Sequence, residues 1–208
     1  MKRILLTTGL ALLLAVPSLS AQDRGKRTFN HGEVGIYGDL FRVSPSGGTA
    51  VNYLGLGARV GFNVATYAAL EAEMNYDFEQ NYTNINVTNG TGGGTTKTYT
   101  ARVRPITGLF GPKFQFGSSG PFRAFVVAKG GFIDFTTNCN APAGSGTCFA
   151  NSLQGFGGSS THFAAFPGGG IEFFAGPIGL RIDAGDEIWV NNGAYNNLRV
   201  TFSPTIRF

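Results

Sequence analysis

The chain has 208 residues, a formal net charge of +4, 32 glycines, 19 phenylalanines and only 13% charged residues. That length fits one domain; glycine is near twice its usual share of roughly 7%, and charge falls well short of the typical ~25%. No stretch beyond residue 21 reaches the ~20 apolar residues of a spanning helix, and the cations are scattered apart from Arg24, Lys26 and Arg27, so a nucleic-acid partner is not expected.

Residues 1–21 carry Lys2 and Arg3, then an apolar run over residues 4–16, then small residues. This is the pattern of a secretory signal peptide, cut after Ala21 or, alternatively, after Ser20. Residues 22–31 are expected to form a short periplasmic segment and residues 32–208 an all-β domain. There, segments of period two recur, each with one apolar and one polar side. In residues 32–43, Val34, Ile36 and Leu40 alternate with Glu33, Tyr37 and Asp39. In 52–63, Leu54, Leu56, Ala58, Val60 and Phe62 alternate with Gly55, Gly57, Arg59, Gly61 and Asn63. In 69–79, Leu70, Ala72, Met74, Tyr76 and Phe78 stand against Glu71, Glu73, Asn75, Asp77 and Glu79.

The fourth segment, 98–116, sets Tyr99, Ala101 and Val103 against Arg102 and Arg104. Pro105 cannot donate to a ladder, and its position predicts a bulge. The fifth, 121–135, carries Arg123 and Lys129 without fixing its phase. The sixth, 161–174, alternates Phe163, Ala165, Pro167, Gly169, Ile171 and Phe173 with His162, Gly168, Gly170 and Glu172. The seventh, 177–190, sets Ile178, Leu180, Ile182 and Ala184 against Arg181 and Asp183. In the eighth, 197–208, Leu198, Val200, Phe202, Pro204, Ile206 and Phe208 oppose Asn197, Arg199, Thr201, Ser203, Thr205 and Arg207.

Long polar connections (44–51, 80–97, 136–160, 191–196) alternate with tight turns near 64–66, 117–120 and 174–177. That asymmetry predicts an eight-stranded antiparallel up-and-down transmembrane β-barrel with short periplasmic turns and longer extracellular loops. A soluble, lipocalin-like carrier of the same strand count would turn its apolar sides inward. The polar sides here carry glycine, small polar residues and a few charges of both signs, which suits a lumen narrow enough for side chains to fill. Arg59, Glu71, Glu73, Arg102, Arg104, Glu172, Arg181, Asp183, Arg199 and Arg207 are the expected lumenal charge network. An arginine turned toward lipid at the bilayer midplane would cost about 2–4 kcal/mol. Tyr53, Tyr76, Phe78, Tyr99, Phe163 and Trp189 toward the loops, and Phe62, Phe116, Phe122, Phe173 and Phe208 toward the turns, are expected to form two interfacial girdles.

With its terminal strand ending on Phe208 and the late hairpin "FPGGGIEFFAGPIGLRIDAGDEIWV", the chain resembles the small bacterial outer-membrane β-barrel family of the opacity and OmpA-like transmembrane-domain type. The resemblance implies a bacterial outer-membrane location, and makes Phe202, Ile206 and Phe208 the assembly signal read by the barrel-assembly machinery. The H-x-S pattern of that family's lipid deacylase is absent.

Chemistry is sparse. His162 has Ser159, Ser160 and Thr161 as its only nearby nucleophiles, and catalysis is not expected. Cys139 and Cys148 are expected to form a local disulfide in an oxidising compartment. No His, Asp or Glu lies between or beside them, so a metal site is not indicated, and no cofactor motif appears. The expected role is structural or surface-interacting, adhesin-like, through the loops at 80–97 and between Cys139 and Cys148. Its partners would be the outer-membrane lipid bilayer and an extracellular ligand or host surface. A narrow porin-like pore, a lipid-active barrel enzyme and a soluble carrier are the rival readings.

Overall fold

The computed structural model describes residues 31–44, 50–90, 93–117, 120–140 and 160–208; for 82–90, 93–101 and 139–140 it describes the backbone. The expected signal peptide and nearly all of the expected periplasmic segment lie outside the described residues.

The strands are β1 (Gly32–Val43), β2 (Val51–Ala65), β3 (Ala68–Asp77), β4 (Gln80–Gly90), β5 (Gly93–Phe116), β6 (Phe122–Asn140), β7 (Ser160–Ala175), β8 (Ile178–Asp186), β9 (Ile188–Val190), β10 (Ala194–Tyr195) and β11 (Leu198–Arg207). All neighbours pair antiparallel around a closed circuit: β1, β2, β3, β5, β6, β7, β8, β11 and back to β1. β9 prolongs β8 in the same register on β7, and β4 prolongs β3 on β5. The wall therefore has eight strands, as the period-two segments predict. Closure leaves no free sheet edge around the eight-strand circuit, which a backbone in hydrocarbon requires. Gly32 and Phe208 exchange backbone hydrogen bonds of 2.9 Å at the seam. Gly117 and Gly176 supply the positive φ that two tight turns need (81° and 66°).

Burial alternates along each strand in the sense opposite to a soluble protein: Ile36 is 69% exposed and Glu71 is 1% exposed. Ile36, Leu56, Met74, Phe116, Ile182 and Phe202 stand on the outer wall, while charged side chains fill the inside. Outside, hydrocarbon would solvate the apolar groups; inside, ion pairs solvate one another.

Three expectations are corrected. First, β5 has the opposite phase at its upper end. Val103 is fully buried with Pro105 and Thr107, and Arg102 and Arg104 face outward. The cause is an inversion of polarity above the apolar belt. There the lumen is packed with aromatic and aliphatic side chains, and the outer wall has left hydrocarbon. Second, Pro105 causes no slip against β6, whose register is continuous from Thr100↔Asn140 to Phe116↔Ala124. The extra residue lies on the facing strand, because Tyr76↔Ile106 is followed by Gln80↔Val103. Third, the region expected as a loop at 80–97 is a ladder, paired from Gln80↔Val103 to Gly90↔Gly93. Tyr82, Ile85 and Val87 on one side and the Thr-rich run 95–100 on the other are the strand-forming residues that the sequence offered for this ladder.

Candidate functional site: the barrel interior

Alternation turns charged residues of six strands into the lumen, and the strand registers bring them to one level. β2 contributes Arg59, β3 Glu71 and Glu73, β5 Lys113, β6 Lys129, β7 Glu172, and β8 Arg181 and Asp183. Glu71 is the hub. Arg181 donates to both its oxygens, at 2.6 and 3.2 Å, and the ammonium groups of Lys129 and Lys113 lie at 2.9 and 3.2 Å. Glu73 accepts from Arg59 at 2.7 Å and Lys129 at 2.8 Å. Asp183 joins Arg59 at 3.1 Å and Arg181 at 2.7 Å, and accepts a hydrogen bond from the Thr201 hydroxyl. Glu172 joins Lys113 at 2.7 Å and Arg181 at 3.2 Å. Toward the turns, Glu33 meets Lys113 at 2.9 Å and Arg123 at 3.8 Å. Among the described residues this cluster pairs five carboxylates with five cations.

A second cluster lies nearer the loops. Arg199 faces Asp39 at 3.3 Å and Asp77 at 3.6 Å and is in close contact with Glu187. Asn75 donates to Asp39 and to Asp77, both at 3.0 Å, and Thr107 donates to Glu187 at 3.0 Å. Above it sits an aromatic cap. Trp189 packs edge-on against Phe135 (5.1 Å between centroids) and Phe41 (6.3 Å) and stacks on Tyr195 (5.7 Å). Aromatic rings also face the cations from within: Arg181 lies 4.0 Å from the Phe125 centroid and Arg199 4.7 Å from that of Phe41. Bulk of this kind fits because glycines face it; a Cβ on Gly57 would lie 2.2 Å from Tyr37.

Of the ten residues expected in the network, the lower cluster gathers Arg59, Glu71, Glu73, Glu172, Arg181 and Asp183, and Arg199 anchors the upper one. Arg207 stands apart at the turn end, donating to the Gly176 carbonyl at 3.0 Å. Arg102 and Arg104 are outside, which corrects their assignment to the lumen. Lys113, Lys129, Glu33, Asp39, Asp77 and Glu187 were not among the ten. Lys113 and Gln115 do share a phase against Pro112, Phe114 and Phe116, but Lys129 lies in a run apolar on both phases. Of the girdle residues, Tyr53 and Trp189 are 0% and 1% exposed and belong to the cap, a further correction. Tyr76, Phe78 and Phe163 at the upper end, and Phe62, Phe116, Phe122, Phe173 and Phe208 at the lower, do stand outside.

The Ser160 hydroxyl and His162 Nε2 lie 2.8 Å apart at the lumen mouth, while Asp134 accepts from Thr161 on the outer wall. Cys148 lies outside the described residues, and with it the expected disulfide.

No family model and no curated protein matches the sequence. Solved structures do. Ail, the attachment invasion locus protein of Yersinia pestis, in complex with the heparin analogue sucrose octasulfate, aligns with a TM-score of 0.50 at 12% identity, over 87% of this chain and 100% of that one. The fold is that of the small eight-stranded bacterial outer-membrane barrels. The N-terminal β-barrel domain of Pseudomonas aeruginosa OprF gives a TM-score of 0.48 at 12% identity, over 86% and 100% of the two chains. Neisserial surface protein A gives 0.43 at 12% identity, over 85% and 95%.

An outer-membrane barrel needs an apolar belt with two edges, and this one has them. Along the outer wall Leu40 gives way to Arg42, Leu54 to Asn52, Ile106 to Arg104, Phe132 to Asp134 and Phe163 to Thr161. The opposite edge carries the short turns and the seam at Phe208, which makes it the periplasmic one. With this outer surface, the location is the outer membrane.

Proposed function

We propose that this barrel, after loss of residues 1–21, is a non-conducting outer-membrane platform that presents the β4–β5 hairpin for surface interaction, in an adhesin-like role. The observation that carries the reading is the ladder itself. It continues past the belt for the whole of β4, about 35 Å at ~3.4 Å per residue, so the hairpin stands as ordered structure on a rigid wall. A disulfide between Cys139 and Cys148 would tie the next loop beside it. The heparin analogue bound by Ail makes a sulfated glycan the first ligand class to test. Phe202, Ile206 and Phe208, exposed on the last strand, are proposed as the contact read by the barrel-assembly machinery. A narrow pore is disfavoured by a lumen filled with paired charges and capped by Trp189.

The test is attachment of cells displaying the barrel to heparin-coated and epithelial surfaces. Replacing residues 82–101 by a two-residue Asn-Gly turn is expected to abolish attachment while the heat-dependent gel shift of the folded barrel persists. Unchanged attachment with an intact gel shift would refute the role of the hairpin.

A further inference from the structure

Two arginines on the outer wall of β5 serve no lumenal purpose. Arg102 and Arg104 project from alternate positions just above Ile106, where the outer wall leaves hydrocarbon. Directly opposite on β6 stand Asn138 and Thr136, also facing outward. The guanidinium of Arg104 lies 5.1 Å from the centroid of the Tyr76 ring, and its Nη1 donates to the Tyr76 hydroxyl at 2.9 Å. This holds the fork in place, and among the described residues its buried Nε has no hydrogen-bond partner. Arg102 is paired only loosely with Glu79, at 3.6 Å, with its side chain 56% exposed. Asp134, the other nearby carboxylate, is engaged by Thr161.

Two guanidinium groups, a hydroxyl and an amide thus share one face of two paired strands at the edge of the belt. Glu79 offsets only part of the repulsion between the two like charges, and guanidinium forks match phosphate oxygens in geometry. We propose that Arg102, Arg104, Thr136 and Asn138 hold the phosphate of an outer-leaflet lipid, with its acyl chains lying along Ile106 and Phe132. The lipid phosphate fixes the depth of the barrel and its rotation against its lipid neighbours.

The test is retention of lipid by the purified full-length barrel, measured by native mass spectrometry. The barrel is exposed to equal amounts of phosphatidic acid and of diacylglycerol with the same acyl chains. Phosphatidic acid is expected to be retained about tenfold better, the scale of charged hydrogen bonds. The Arg102→Gln/Arg104→Gln variant, with its gel shift intact, should fall to the diacylglycerol level, and Arg42→Gln should not. Equal retention of the two lipids by the unaltered barrel would overturn the proposal, as would full retention by the double variant. Displacement of phosphatidic acid by millimolar inorganic phosphate would overturn the lipid assignment in favour of a soluble phosphate. If the double variant fails to fold, the two measurements on the unaltered barrel still decide.

Discussion

Replacing Glu71 by glutamine removes one negative charge from the centre of the lower cluster and leaves the side-chain shape nearly unchanged. Glu71 is 1% exposed and contacts Arg181, Lys129 and Lys113 within 3.2 Å. Five carboxylates against five cations become four against five, so one buried positive charge is left uncompensated. Each contact is worth about 4 kcal/mol at 4 Å with an effective dielectric of 20, but relaxation and the remaining carboxylates offset much of the sum. Breaking a buried pair by removing one partner costs about 3–5 kcal/mol, and that is the expected loss. Urea titration of the barrel in phospholipid vesicles, with the folded fraction read from the gel shift, measures it. Adding Lys129→Gln restores neutrality and should recover more than about 1 kcal/mol, the coupling expected of residues in one network. A loss below about 1 kcal/mol, the range of exposed pairs, would refute the reasoning. It would mean that water screens the interior, and a conducting lumen would become the better reading.

Two further outcomes follow from the packing. Trp189 is the single tryptophan and sits inside the cap, so brominated lipids should leave its emission unquenched; strong quenching would put it on the lipid-facing girdle. A Cβ on Gly55 would lie 2.3 Å from Asp39 Oδ1, 2.7 Å from Asp77 Oδ1 and 3.0 Å from the Tyr76 carbonyl. Gly55→Ala should therefore cost about 1–3 kcal/mol in the same urea titration. Gly38→Ala, with no atom nearer than 4.0 Å, should change stability by less than about 1 kcal/mol, and equal losses at the two sites would contradict the packing described.

Period-two alternation determined the number of wall strands, their order and the face that meets lipid, because a wall between hydrocarbon and a charged lumen must alternate strictly. The terminal strand shows this most plainly: Leu198, Phe202 and Ile206 are outside, and Arg199, Thr201 and Ser203 inside. The same rule fails where the two media change. Above the belt the lumen becomes apolar and the exterior polar, so Val103 turns in and Arg102 and Arg104 turn out with no break in register. Trp189 and Tyr53 were misplaced for the same reason, since an aromatic side chain near the loops suits either a girdle or a cap. Only closure of the barrel decided which charges meet. Arg181 and Glu71 are 110 positions apart in the chain, and their contact depends on strand register summed around the whole circle. No local pattern carries that sum: the phase of Lys113 against Phe114 and Phe116 points it into the lumen, but not toward Glu71, Glu172 or Glu33.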